Sequence, residues 1–205
     1  MKVLIVSGGI GSGKSLVSKM LNDSYGIPVY EADSRAKALY DEVPAMLSAI
    51  ESALGIVLRD DKGAFMPQRL AEVIFSDSSA LKKVEDILFP QLQSDFTRWA
   101  QAQGREVVAL ESATLLEKSQ FDGFGDIVLV VDAPKSLRLS RACSRDGTDE
   151  SRILARMAAQ PMMNMISDGV NYERVDCVIK NDSTEDELQL RLDEFIEKYE
   201  LTKML

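Results

Sequence analysis

The sequence predicts an α/β fold: three layers around a five-stranded parallel sheet. Three observations carry the prediction. Val3-Leu4-Ile5-Val6, Val107-Val108-Ala109-Leu110 and Ile127-Val128-Leu129-Val130-Val131 are short unbroken apolar runs, the pattern of parallel strands covered on both faces. Helical patterns alternate with them. The first run leads directly into Gly8-Gly9-Ile10-Gly11-Ser12-Gly13-Lys14-Ser15, followed by the helical Leu16-Val17-Ser18-Lys19-Met20-Leu21. Strand, glycine loop, Lys-Ser and helix together are the context of a P-loop, G-x-x-x-x-G-K-[ST].

Each residue type in that loop has a physical task. Gly8, Gly11 and Gly13 allow backbone conformations closed to other residues and a close approach to a ligand. The loop amides and the positive end of the following helix converge on one anion. Gly9, Gly11, Ser12, Gly13, Lys14, Ser15 and Leu16 are therefore the candidate ATP-binding residues. Lys14 is expected to reach the β- and γ-phosphates, and the Ser15 hydroxyl to bind Mg²⁺. With ordinary residue usage, on the order of 0.01 such matches arise by chance in a chain this long. A dinucleotide fold would need G-x-G-x-x-G, but Lys14 or Leu16 falls where the third glycine belongs.

The totals narrow the function classes. The chain of 205 residues can bury one good-sized core, with room for a helical insertion. Its net charge of -9 argues against a nucleic-acid partner, which needs a basic face. Two cysteines without a spaced pair, Cys143 and Cys177, argue against a disulfide or zinc framework and fit a reducing cytoplasm. No apolar run approaches the ~20 residues of a membrane span, and the run after Lys2 is too short for a signal peptide. There is no histidine, so a general base must be a carboxylate and a metal ligand an oxygen.

After the first helix, Tyr25-Gly26-Ile27-Pro28 reads as a stop and turn, and Pro28-Val29-Tyr30 as a second strand. That strand ends in Glu31-Ala32-Asp33, at the carboxyl edge where open α/β sheets bind ligands. Asp33 is a candidate base toward an attacking hydroxyl, or a water-mediated magnesium ligand; equally, Asp33 or Ser34 caps the helix that follows. Residues 34–103 read as helical. One helix stops at Gly55, Asp60-Asp61-Lys62-Gly63 is a turn, and Pro67 opens another helix. From Ser79 to Gln103, Leu81, Val84, Leu88, Leu92, Phe96 and Trp99 form one stripe, with Pro90 predicting a kink or break near Leu88 and Phe89. This insertion could cover a second substrate, or be a packing subdomain.

The third strand ends in Glu111-Ser112-Ala113-Thr114 and the fourth in Asp132-Ala133-Pro134. The helix from Ser136 carries Arg138, Arg141 and Arg145; after the break at Asp146-Gly147, Thr148 can cap a helix with Arg152 and Arg156. Arg141, Arg145 and Arg156 are candidates to surround a phosphoryl group, while Arg138 and Arg152 read as solvated. Residues 161–174 read as a loop whose Met162, Met163 and Met165 fill apolar gaps. Cys177-Val178-Ile179 is the fifth strand, and Thr184-Glu185-Asp186-Glu187 is a capping box opening the last helix.

Taken in order, these stretches resemble the dephospho-CoA kinase family. The resemblance rests on the P-loop, on Val29-Tyr30-Glu31-Ala32-Asp33, on Leu88-Phe89-Pro90, Leu115-Leu116-Glu117 and Arg141 with Arg145-Asp146, and on Arg156-Met157-Ala158-Ala159-Gln160 and Asp176 to Asn181. It implies a P-loop NTPase three-layer fold with a helical acceptor-binding insertion and a helical lid closing over ATP. The core would be about 1–33, 104–140 and 175–205, the insertion about 34–103, and the lid about 141–174. It implies ATP-dependent phosphorylation of the ribose 3′-hydroxyl of dephospho-CoA, the last step of coenzyme A synthesis. Asp33 would be the base or hydroxyl-orienting residue, and Arg141, with Arg145 and Arg156, the lid-side contacts to the ATP phosphates; Asp33, Arg141 and the P-loop's Lys14 are thus the candidate catalytic residues. The partners would be ATP with Mg²⁺ and dephospho-CoA, in a cytoplasmic monomer or weak homo-oligomer.

The chain departs from the family's usual spelling in several places. Glu31 replaces a first Asp, Phe89 a common His before Pro, and Ala113-Thr114 a common Pro-Leu, while the stretch after Gln160 lacks the usual basic residues. Another small-molecule or nucleotide kinase on the same core is the alternative. A regulatory P-loop NTPase of the GTPase kind would need Asn-Lys-x-Asp, which the chain does not contain.

Overall fold

Five strands, β1 (Lys2–Ser7), β2 (Val29–Glu31), β3 (Val107–Glu111), β4 (Ile127–Asp132) and β5 (Cys177–Lys180), form one sheet in the order β2-β3-β1-β4-β5. Every pairing is parallel. This computed structural model describes residues 1–201. The strands are apolar because both faces are covered: all five residues of β3, and five of the six in β4, are buried.

Successive side chains point to opposite faces. Leu4, Val6, Leu129 and Val131 share one face with Val17 and Leu21 of α1 (Lys14–Tyr25) and Leu188, Leu192 and Phe195 of α9 (Glu185–Lys198). On the other face Val130 packs with Leu116, Met163 and Ile166. Three layers follow. Burying one such Leu or Phe side chain contributes about 1.5–3 kcal/mol, so the apolar faces, more than helix propensity, hold these elements in place.

The helices mostly begin and end where the sequence says. α1 stops at Gly26 and α6 (Lys135–Asp146) at Gly147. Thr184 caps α9 by accepting the Glu187 amide. Three expectations are corrected. α7 (Glu150–Ala158) is capped by Asp149, not Thr148; its carboxylate accepts the Arg152 amide. Residues 161–174 are not all loop: Pro161 opens a helix, α8 (Pro161–Ser167). Within α8 Met163 is buried, but Met165 faces solvent rather than filling a gap.

The chain divides into two compact units, Met1–Glu31 with the chain from Gln103 onward, and Ala32–Ala102. The second unit holds α2 (Ala32–Glu42), α3 (Pro44–Leu54), α4 (Pro67–Ser76) and all but the last residue of α5 (Ser78–Gln103). α5 runs continuously through Pro90, so the proline does not break it. Its buried stripe is Ala80, Val84, Leu88, Leu92, Phe96 and Ala100; Leu81 and Trp99 are only half-buried. Arg35 of α2 joins Glu42 to Asp95 of α5, and Tyr40 stacks on Phe65 with ring centroids 4.4 Å apart.

Candidate active site

β1 is the central strand, and the connections leaving β1 and β3 run to opposite sides of it. Such a reversal opens a crevice beyond the carboxyl ends of the strands. The P-loop sits there, between β1 and α1. It turns tightly, the Ser12 amide donating to the Gly9 carbonyl at 3.0 Å. Gly11 and Gly13 have φ of 74° and 97°, the left-handed region that side-chain-bearing residues avoid. Gly13 is also the N-cap of α1, so the free amides of the first turn face the loop.

Neighbouring elements grip the loop from several sides. The Asn181 side-chain amide donates to the Ser12 carbonyl at 2.9 Å, in a buried contact. The Ile10 amide donates to Gln160 Oε1 at 3.0 Å, and Gln160 Nε2 donates to the Ala113 carbonyl. Ile10 also packs into the small core between α6 and α7, with Ala142, Ile153 and Met157. The loop shape is therefore set before any ligand arrives, so binding need not order it.

Lys14 begins α1, largely buried, and its Nζ lies 3.5 Å from Glu111 Oε1. That is ion-pair range but long for a hydrogen bond, so the carboxylate positions the ammonium without consuming it. Glu111 ends β3 in register with Glu31 of β2 and Val6 of β1. Two carboxylates thus end neighbouring strands on the P-loop's edge. Ser15 and Leu16 lie in the first turn of α1, Ser15 exposed and Leu16 half-buried. Oxygen donors of this kind, a hydroxyl with nearby carboxylates, suit Mg²⁺. Among the described residues no group of three or more His, Cys, Asp or Glu side chains forms a metal site of its own. Asp33 is exposed in the first turn of α2, two residues past the end of β2, and so lies inside the helix, not at its cap.

The arginines divide differently from expectation. Arg141 Nη1 donates to the Asn181 carbonyl at 3.1 Å, one residue past β5. Arg145 and Arg156, from α6 and α7, both hold Asp146: Arg145 Nε at 2.7 Å and Arg156 Nη1 at 2.6 Å. These two cations keep the Asp146 carboxyl at about 2. Arg152 is solvated, as expected, beside Asp149. Arg138 is not: it is 2% exposed. Sequence periodicity fails there because α6 packs on the loop with the face that carries Arg138, and an arginine is read as surface by default. Asn181, Gln160 and Glu111 also escape sequence reasoning as loop-holding residues. The available signal is a polar residue at the end of an apolar strand or just before a proline.

No helix among the described residues is long and apolar enough to cross a membrane. A family model described as dephospho-CoA kinase matches residues 2–187. A dephospho-CoA kinase from Porphyromonas gingivalis is 41% identical over 155 residues, covering 76% of this chain and 75% of the relative. Of solved structures, TT1252 from Thermus thermophilus superposes with a TM-score of 0.80 at 26% identity, covering 96% of this chain and 97% of that one. A dephospho-CoA kinase from Campylobacter jejuni shares the fold, with a TM-score of 0.66 at 22% identity over 96% of each chain.

Proposed function

The chain belongs to the dephospho-CoA kinase family, and from that premise we propose that it transfers the γ-phosphoryl group of ATP to the ribose 3′-hydroxyl of dephospho-CoA, yielding coenzyme A. One observation carries the reading: a complete phosphate loop, held in shape by Asn181 and Gln160, in a chain matched by the family model from residue 2 to residue 187.

The residues divide the work as follows. The loop amides and the first turn of α1 bind the β-phosphate. Lys14 leaves its loose pairing with Glu111 to meet the β- and γ-phosphates, where charge-assisted contact is stronger. Arg141, held at the Asn181 carbonyl, neutralises charge that spreads over the γ-phosphoryl oxygens. Arg145 and Arg156 exchange Asp146 for phosphate oxygens. Asp33 orients the acceptor hydroxyl and takes its proton; a loose transition state asks little basicity of it. The Ser15 hydroxyl would hold Mg²⁺, which would supply neutralisation of phosphate charge. Most of the rate comes from positioning and electrostatics.

Residues 34–103 are assigned to acceptor binding and 141–174 to a lid. The protein works in the cytoplasm. The test is ADP release coupled to a reporter, with ATP, Mg²⁺ and dephospho-CoA, and with adenosine, AMP and shikimate as control acceptors. Release dependent on dephospho-CoA alone supports the reading. Release with another acceptor keeps the kinase and discards this substrate.

A further inference from the structure

Arg138 occupies an odd position for a cation. It stands near the start of α6 and is 2% exposed, and its Nε is buried with no hydrogen-bond partner. Burial pushes its guanidinium below the ordinary arginine range, against the attraction of Asp132 and Asp168. Asp132 is already engaged, accepting from Ser167 Oγ and Lys180 Nζ at 2.6 Å each.

The side chain lies directly against the P-loop. A Cβ on Gly9 would meet Arg138 Nη1 at 2.1 Å, and one on Gly11 would meet the Arg138 carbonyl oxygen at 2.1 Å. Gly9 and Gly11 thus leave room for Arg138 itself. Ser7 Oγ and Ser12 Oγ, just before and within the loop, are likewise buried without partners. A desolvated and incompletely bonded cation is costly to fold. A polyphosphate in the loop is the counter-charge that would offset that cost.

We propose that Arg138 is a positioning residue for the ATP phosphates, adding positive charge to the phosphate site from behind Gly9. The inference rests on the reading that the P-loop takes the phosphates of ATP. The rival is a cation that merely props the loop, and the two differ in how the effect scales with ligand charge. The affinities of ATP, ADP and AMP are measured by calorimetry in Mg²⁺ buffer, on the full chain and its variants. In Arg138→Gln we expect ATP binding to weaken about tenfold or more, ADP binding to weaken less, and AMP binding to stay near the parent value. The melting temperature without ligand stays level or rises, because a buried unmatched charge has gone. Arg138→Lys keeps most of the ATP affinity.

Equal losses for all three ligands with a lower melting temperature would leave only the propping role and overturn the proposal. So would unchanged ATP affinity, or a Lys variant as weak as the Gln variant. Arg138→Met, similar in length and uncharged, repeats the test should the Gln variant not fold. If neither neutral variant folds, Arg138 is a structural cation and the proposal falls. If the parent chain itself does not bind ATP, the P-loop reading fails first.

Discussion

The side-chain amide of Asn181, just past β5, donates to the carbonyl oxygen of Ser12 at 2.9 Å across 169 residues of sequence. The same residue donates its backbone N–H to Asp132 and accepts Arg141 Nη1 at its carbonyl. A Cβ on Gly13 would meet Asn181 Nδ2 at 1.9 Å, so glycine at 13 leaves space for this amide. Asn181→Ala strands the buried Ser12 carbonyl, at a cost of about 1–3 kcal/mol. For a chain of this size that is a fall of roughly 2–4 °C per kcal/mol in melting temperature. Weaker ATP binding should accompany it. A thermal melt with and without ATP reads both.

Gly11→Ala meets two obstacles at once, a φ of 74° and the Arg138 backbone oxygen at 2.1 Å. Backbone cannot step aside as a flexible side-chain tip can. The variant should lose more stability than Asn181→Ala and most of its ATP affinity. Parent-like melting and binding would show that the loop is not packed against α6 in solution.

Lys14→Ala removes the cation that heads α1 at the loop. The expected loss in kcat is on the order of 10²–10³, the range for removing one donor aimed at developing charge. Steady-state kinetics at saturating ATP separates this from weaker binding.

Asp33→Asn keeps the size of the side chain and removes its ability to take a proton. ATP affinity should stay near the parent value while turnover falls by about 10²-fold or more. Near-normal turnover would remove Asp33 from the mechanism.

Asp146 makes acid sensitivity predictable. Its carboxyl titrates at about 2 in the fold, against an ordinary 3.8, through hydrogen bonds from Arg145 and then Arg156. A pKa depressed by folding contributes stability above the unfolded value, and the contribution is lost as pH falls from about 4 to about 2. Asp146→Asn lacks this contribution at every pH. The gap in melting temperature between parent and variant should therefore narrow between pH 5 and pH 2.5. A gap that stays constant would mean that the two arginines do not hold Asp146 in solution.

The local features are legible in the sequence because each depends on near neighbours. The apolar runs mark the strands, Thr184 with Glu187 marks the cap of α9, and the spacing from Gly8 to Ser15 marks the loop. Apolar periodicity along α5 locates its core face but misjudges its ends, where Ala80 and Ala100 are buried in place of Leu81 and Trp99. Small residues carry little hydropathy signal, yet close packing favours them.

By itself, the sequence determined the sheet's parallel class, the phosphate loop and the family, since these rest on residue types at fixed short spacings. Only the tertiary structure decided which distant side chains hold the loop. Asn181 and Gln160 reach it from 169 and 150 residues away, Glu111 faces Lys14 because β3 lies beside β1, and Arg138 is buried because α6 packs on Gly9 and Gly11. The physical reason is that hydrogen bonds, ion pairs and desolvation act over a few ångströms of space, and the sheet order sets those distances.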